Sequence, residues 1–338
     1  MRLNISKANI AHHGQDVAGV PIHYFLSSFD DEFHKPGNEG FKRFLNKNKH
    51  ITKWMIFSDY AFYDQEKPND VVTFSIIPYQ YDFYDFGDFI GSISFKDAKK
   101  LKAIKKNFIN FINSNEILSL SIILPPKRRL DPINEREMLK SRFKMVINMA
   151  KHWIKNEGEK EYYKEILKKY KEMLAELNKA GANLKYVRDM DIVASFVSYI
   201  SFQICQENRT ELVGWFSDRD AILDYKINQF KKPLIFDLID NLFHVLMFNI
   251  DENYKERIVY GVPEKNGPVW YDNYNRIPDL IAAALSDFDF NKSKCTNEKF
   301  KPVMERLMTN SDKNIVYRLD VNDGELTASI IDTFLVKG

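Results

Sequence analysis

The apolar residues of this chain form two kinds of segment, which alternate along the sequence. Short segments are continuously apolar, and longer ones have apolar residues at the spacing of a helix. The short runs are rich in β-branched and aromatic residues, which is typical of strands. Five such runs cover residues 51–57, 71–77, 117–124, 211–216 and 257–262. Strands that alternate with helices are typical of an α/β fold, so the pattern predicts a sheet with helices packed on it.

Between these runs, apolar residues recur at intervals of three and four, as in amphipathic helices. The predicted helices lie within residues 97–114, 132–181, 191–205, 233–248, 278–285 and 300–308. The first of them carries lysines on its other face, namely Lys99, Lys100, Lys102, Lys105 and Lys106. A solvated helix face explains these lysines most simply, and a phosphate-binding patch is the alternative. Residues 79–89 alternate aromatic and polar side chains, which predicts an extended or loop segment.

The long helical stretch between the third and fourth strands suggests how the chain is divided. We predict an N-terminal extension over residues 1–50 and an α/β domain over residues 51–290. A large helical insertion of about residues 132–205 interrupts that domain, and residues 291–338 form a C-terminal extension packed on the core. The 338 residues are enough for one elaborated domain or for two. The insertion is also a candidate surface for a protein partner.

Composition narrows the class of protein. The chain is 44% hydrophobic and 28% charged, as expected of a globular protein with a full core. Its formal net charge of +2 neither demands nor excludes a polyanionic partner, because local patches matter more than the sum. The two cysteines have no paired spacing, which excludes a disulfide scaffold and a zinc finger. No apolar stretch approaches the roughly 20 residues that span a bilayer, so we expect a cytoplasmic protein without a membrane partner.

Several common catalytic motifs are missing from the sequence. It has no phosphate-binding P-loop, no glycine-rich dinucleotide motif, no nucleophile elbow and no zinc-protease motif. Nucleotide hydrolysis or dinucleotide binding of the usual kinds is therefore not expected. A Ser-His-Asp triad stays open because triads are dispersed in sequence, but nothing favours it.

Four aspartates stand where predicted strands end or a predicted helix begins. Asp59 follows the first apolar run, and Asp218 and Asp220 follow the fourth. Asp279 opens the helical stretch 278–285. Acids at the carboxyl ends of strands project toward the ligand-binding edge of an α/β sheet, and carboxylate oxygens are the ligands that hard cations prefer. Each acid also has a structural explanation, as a turn, helix-capping or first-turn residue.

Basic residues near these acids could hold a substrate phosphate. Arg219, Lys265 and Arg276 are close to them in sequence, and Lys127 and Arg128 lie in a stiff turn after the third strand. Basic groups beside a carboxylate cluster suit a nucleic-acid backbone. We therefore expect nucleic acid, DNA or RNA, as the partner of such a site.

Two sequence motifs extend this pattern to a resemblance. Residues 55–60 read MIFSDY, and residues 276–284 read RIPDLIAAA. The chain resembles the ribonuclease H-like superfamily, and more narrowly a bacterial family that opens on a strand with a YIDESG-type motif and closes with a helix of roughly QxADLIAxA. The order of strands and helices resembles that of the family over about residues 51–290. The amino-acid identities match at about ten positions. It implies a mixed five-stranded sheet flanked by helices.

The resemblance also implies a chemistry. Ribonuclease H-like nucleases hydrolyse phosphodiester bonds with two Mg²⁺ or Mn²⁺ ions, roughly 3.5–4 Å apart. Asp59 would then bridge the ions, with Asp279 and one of Asp218 or Asp220 holding one ion each. Here Asp59 is followed by Tyr60-Ala61-Phe62, so the second acid of the opening motif is missing. The expected function is a metal-dependent nuclease in a bacterial defence or mobile-element context, and the alternative is a catalytically degenerate binding or regulatory subunit.

Overall fold

A computed structural model describes most of the chain. The described residues are 11–13, 16–18, 24–94, 96–125, 128–129, 134–156, 160–225, 233–247, 257–263, 266–267, 269–322 and 325–331. Lys127 and Lys265, two of the expected phosphate-binding residues, lie outside them.

The strands range in length from two to nine residues. They are β1 (Ala11–His13), β2 (Asp16–Ala18), β3 (Lys53–Ala61), β4 (Asp70–Pro78), β5 (Leu118–Leu124), β6 (Leu212–Ser217), β7 (Ile258–Gly261), β8 (Phe288–Asp289), β9 (Lys294–Cys295), β10 (Asn314–Asn322) and β11 (Glu325–Ile330).

The helices occupy most of the connections between strands. They are α1 (Tyr24–Phe33), α2 (Gly40–Lys47), α3 (Phe83–Ile93), α4 (Lys106–Ser114), α5 (Glu135–Asn156), α6 (Lys160–Leu177), α7 (Leu184–Glu207), α8 (Leu234–Met247), α9 (Asp272–Asp287) and α10 (Lys301–Val303). Short 3₁₀ turns lie at Ala98–Lys100 and Glu298–Phe300, and a π-helical turn lies at Met304–Met308.

Seven strands form one mixed sheet in the order β11-β10-β5-β4-β3-β6-β7. Strand β3 pairs antiparallel with β4 and parallel with β6, and β6 pairs parallel with β7. Strand β5 is antiparallel to β4 and parallel to β10. The predicted α/β class, with a mixed sheet flanked by helices, is therefore confirmed. The predicted number of strands was five, and the two additional strands are β10 and β11, from the region expected to form a C-terminal extension.

Each face of this sheet has its own apolar core, because side chains alternate between the faces along a strand. Trp54 and Ile56 of β3 point into one core, which also contains side chains from α1, α2 and α5–α8. Met55 and Phe57 point into the other, with side chains from α3, α4, α9 and α10. The predicted helical stretch 132–205 carries α5, α6 and α7, and residues 187–204 of α7 are all buried.

Two local predictions were wrong. Residues 79–89 were expected to be extended or a loop, but most of them form α3, which begins after Asp82. The Asp82 side chain accepts hydrogen bonds from the backbone N–H groups of Tyr84 and Asp85, a helix-capping interaction that outweighs the alternating pattern. Residues 97–114 were expected to be one helix, but only a 3₁₀ turn and α4 form there. Among the described residues, no helix is both long and apolar enough to cross a membrane.

Candidate active site

Asp59 and Asp218 lie side by side because β3 and β6 are parallel neighbours. Ser58 is opposite Ser217 in the register, and the backbone N–H of Asp218 donates to the Ser58 carbonyl at 2.9 Å. Residues at alternate positions face the same side of a sheet. Asp59 therefore faces the same side as Met55 and Phe57, the side covered by α9.

Helix α9 brings Asp279 to the same place. Its Tyr274 ring stacks on Phe57 of β3, with ring centroids 4.6 Å apart and planes 6° from parallel. The Asp279 and Asp59 carboxyls hydrogen-bond to each other. The Asp279 Oδ2 also accepts a hydrogen bond from the backbone N–H of Ala98 at 2.6 Å.

Asp279 was expected to open a helix, and that expectation was wrong. Helix α9 begins at Asp272 and continues through Pro278. Proline has no N–H for the carbonyl four residues earlier and usually disrupts a helix. Burial of the surrounding apolar side chains, such as Ile277 and Leu280 at 0% and 1% exposure, outweighs this local cost. A first-turn explanation of Asp279 therefore does not apply.

The three carboxyls act on one another electrostatically. Burial raises the pKa of the Asp59 carboxyl well above its usual range, and the charges of Asp279 and Asp218 raise it further. Burial also raises the pKa of Asp279, but the Ala98 N–H, the hydrogen bond from Asp59 and the charge of Arg276 oppose the rise. Two acids this close do not both ionise readily, and the shared proton stays on Asp59.

Asp218 and Asp220 have different surroundings. Burial raises the pKa of Asp218, and Asp272 and Asp279 add to the rise. Asp220 accepts a hydrogen bond from the Ile222 N–H at 2.9 Å, and its pKa is raised by burial and by Asp189. The structure thus brings Asp218 together with Asp59 and Asp279, and leaves Asp220 in the turn that follows.

The expected phosphate-binding arginines differ in how they are held. Arg276 lies beside the acids and forms ion pairs with Asp97 and Asp272. Arg219 is exposed, and its guanidinium donates to the Gly267 carbonyl. Arg128 is only 4% exposed and is held in buried ion pairs. Arg276 and Arg219 lie near the site, whereas Arg128 forms its ion pairs in the protein interior.

A buried polar network supports the strand ends beneath the acids. The Trp215 Nε1–H donates to the Ser58 hydroxyl at 3.0 Å, the Ser58 and Tyr60 hydroxyls are 2.9 Å apart, and the Tyr60 and Ser217 hydroxyls are 2.7 Å apart. The Tyr271 hydroxyl donates to the Ser217 carbonyl at 3.1 Å. Sequence reasoning missed this network. The alternating Ser58-Asp59-Tyr60 pattern was its only signal.

The chemistry of the donor set fits a divalent cation. Asp59, Asp218 and Asp279 offer hard oxygen ligands, and their mutual repulsion would be relieved by a positive charge between them. Among the described residues, no group of three or more His, Cys, Asp or Glu side chains is arranged as a metal site. The Asp59–Asp279 hydrogen bond occupies oxygens that a metal would need, so binding would require the proton on Asp59 to leave.

The raised pKa of Asp59 predicts how stability depends on pH in the absence of divalent cations. Because folded Asp59 holds its proton more tightly than the unfolded chain does, the free energy of unfolding should fall as the pH rises above about 4. Asp59→Asn removes this effect and still donates to Asp279. We expect the variant to be more stable than the wild type at pH 8, by about 1–4 kcal/mol, the Coulomb energy of two charges about 4 Å apart.

Thermal unfolding in a chelator at pH 4 and pH 8 measures this difference. It should be small at the lower pH, where folded Asp59 is protonated and the unfolded carboxyl, with a pKa of about 3.9, is roughly half protonated. Asp88→Asn, at an exposed position of α3, makes the same chemical change away from the site and should shift stability equally at both pH values. A stability gain of Asp59→Asn that is equal at pH 4 and pH 8 would contradict the proposed proton sharing.

Comparison of the chain with protein-family models, with curated proteins and with solved structures finds no match.

Proposed function

We propose that this chain is a metal-dependent phosphodiesterase that acts on nucleic acid. The observation that carries the proposal is the meeting of Asp59, Asp218 and Asp279, from two parallel strands and a crossing helix, at one edge of the sheet. The donor set suits Mg²⁺ or Mn²⁺, both of which prefer carboxylate oxygens. The basic side chains beside it suit a phosphate.

We also propose that these strands and helices form a ribonuclease H-like domain. Its support is the order of elements along the chain. Three antiparallel strands β3, β4 and β5 come first, then a helical segment, then the parallel strands β6 and β7, and then α9 with Asp279. The same order motivated the resemblance in sequence. The additional strands β10 and β11 extend the sheet at the far side from the acids.

In this proposal each residue has a defined part. Bound divalent cations would supply Lewis-acid polarisation of the phosphodiester and a water of lowered pKa. Asp59, Asp218 and Asp279 would hold the cations, with Asp59 in its deprotonated form. The Ala98 N–H fixes the orientation of Asp279. Arg276, held between Asp97 and Asp272, places a positive charge where negative charge develops on the substrate.

The second candidate is a non-catalytic nucleic-acid-binding or regulatory subunit. Arg276 favours it, because its charge already acts on Asp59 and Asp279 and competes with a bound cation. The missing acid after Asp59 favours it as well. In this candidate the surface of α5–α7 is the proposed partner-binding region, in a defence or mobile-element system.

A cleavage assay separates the two candidates. Labelled single- and double-stranded DNA and RNA are incubated with the purified protein and Mn²⁺ or Mg²⁺, and a parallel reaction contains a chelator. We expect cleavage of at least one substrate in the presence of metal and none with the chelator. Binding of the substrates without cleavage under either metal would favour the regulatory candidate.

A further inference from the structure

A cavity of about 320 Å³ opens at the sheet edge beside the carboxyl cluster. Its lining includes Tyr60, Phe300 and three lysines, Lys67, Lys99 and Lys299. Pockets that hold small ligands begin at about this volume. The cavity is therefore large enough for about one nucleotide, next to the place where a phosphodiester would be cut.

Two of the three lysines already bind other groups of the protein. Lys67 forms an ion pair with the buried carboxylate of Asp287. The Lys299 ammonium donates to the backbone carbonyls of Ala98 at 2.9 Å, Lys99 at 3.3 Å and Leu101 at 3.1 Å. An ammonium group has three donors, so these bonds use all of them.

The Lys99 side chain is exposed, and no hydrogen bond or ion pair links its ammonium group to any other part of the chain that the structure describes. Its charge acts on Asp279 and on Asp220, and the N–H of the preceding residue, Ala98, binds Asp279, so Lys99 lies near the carboxyl cluster. It is thus the cation on the cavity wall that remains available to a ligand.

The turn that carries Lys99 is held on both sides. The Ala98 N–H donates to Asp279, and Lys299 binds the carbonyls of the same turn. Its backbone position is therefore tied to the candidate active site, which reduces the ordering required when a ligand binds. A flexible ammonium on a fixed turn is a suitable contact for a phosphate, which it binds as a point charge.

We propose that this cavity binds one nucleotide of a nucleic-acid strand, next to the scissile bond, and that the Lys99 ammonium group binds the phosphate of that nucleotide. The inference deepens the proposed function and rests on it for the identity of the strand. Two acids on the cavity wall, Asp64 and Asp220, disfavour a second phosphate there. Lys99 is a positioning residue in this proposal.

Binding in a chelator tests this proposal without requiring cleavage. The probe is a short single-stranded oligonucleotide with a fluorescent label, and its anisotropy reports affinity at several salt concentrations. Lys99→Ala should weaken binding about tenfold, since a charge-assisted contact to phosphate is among the stronger hydrogen bonds. It should also lower the slope of log affinity against log salt by about 1. Lys99→Arg should retain affinity within about threefold, since it keeps the charge.

Lys106→Ala is the matched control, because Lys106 is exposed at the start of α4 and lies outside the cavity wall. Equal affinities of Lys99→Ala and Lys106→Ala, or no binding by the wild type, would overturn the proposal. Inorganic phosphate as competitor distinguishes a site for free phosphate from a site for the strand. A loss specific to Lys99→Ala in a protein that cuts nothing would support the cavity and reject the nuclease. Cleavage that is unaffected by Lys99→Ala would support the nuclease and reject the proposed role of the cavity.

Discussion

Asp59→Asn and Asp279→Asn are each expected to lower metal-dependent cleavage at least about a hundredfold, because even residues that only support a metal ligand cost about 10- to 100-fold when lost. Both changes keep the size and shape of the side chain and remove an anionic oxygen. Asp59 and Asp279 hydrogen-bond to each other, so either change alters the same pair. The rate of cleavage at saturating metal, followed by gel electrophoresis of a labelled strand, measures the effect.

Three further variants make that result specific. Asp218→Asn should also lose most activity, whereas Asp220→Asn should keep more of it, because Asp220 bonds within its own turn. Asp88→Asn should leave the rate unchanged. Full activity of Asp59→Asn or Asp279→Asn, in a protein with normal thermal unfolding, would remove these acids from the mechanism.

Arg128→Ala is expected to cost about 3–5 kcal/mol of the free energy of unfolding, the range measured when one partner of a buried ion pair is removed. Arg128 is 4% exposed, and its Nε–H donates to Asp189 at 2.8 Å while Nη1 pairs with Asp70. Its guanidinium also lies 4.8 Å and 4.7 Å from the ring centroids of Phe62 and Tyr63. Alanine would leave the buried carboxylate of Asp70 without its cation and that of Asp189 with Arg188 alone, at 3.4 Å.

Arg129→Ala is the natural control, because Arg129 is the adjacent residue and is exposed. Its effect should stay within about 1 kcal/mol, as for most surface substitutions. Chemical unfolding of both variants at neutral pH gives the comparison. Equal losses in the two variants would show that the ion pairs of Arg128 contribute little.

The sequence was most informative where local composition and burial agree. Strands β3, β4, β5, β6 and β7 consist mostly of apolar residues, and all five were predicted close to their positions. Asp218 directly follows β6, as predicted. Asp59 was predicted to follow the first strand, but it lies inside β3, where it pairs with Thr73, because the strand continues beyond the apolar run. That β3 and β6 are neighbours is a tertiary property, and only the resemblance suggested it.

Other features depend on contacts between distant segments, and composition does not encode these contacts. The start of α9 was misplaced because Pro278 usually marks a helix boundary, while the packing of Tyr274 on Phe57 extends the helix earlier. Arg128 looked like a surface residue in a basic turn. Its partners Asp70 and Asp189 are 58 and 61 residues away in sequence, so no local pattern reveals the pairing.

The position of β10 affects how the protein folds during synthesis. Strand β5 pairs with β4 on one side and with β10 on the other, and β10 follows it only after most of the helices. Until β10 has left the ribosome, β5 presents an unpaired apolar edge of the kind that promotes association between chains. We therefore expect the nascent chain to be prone to association during that interval, although Asp59, Asp218 and Asp279 all precede β10 in the chain.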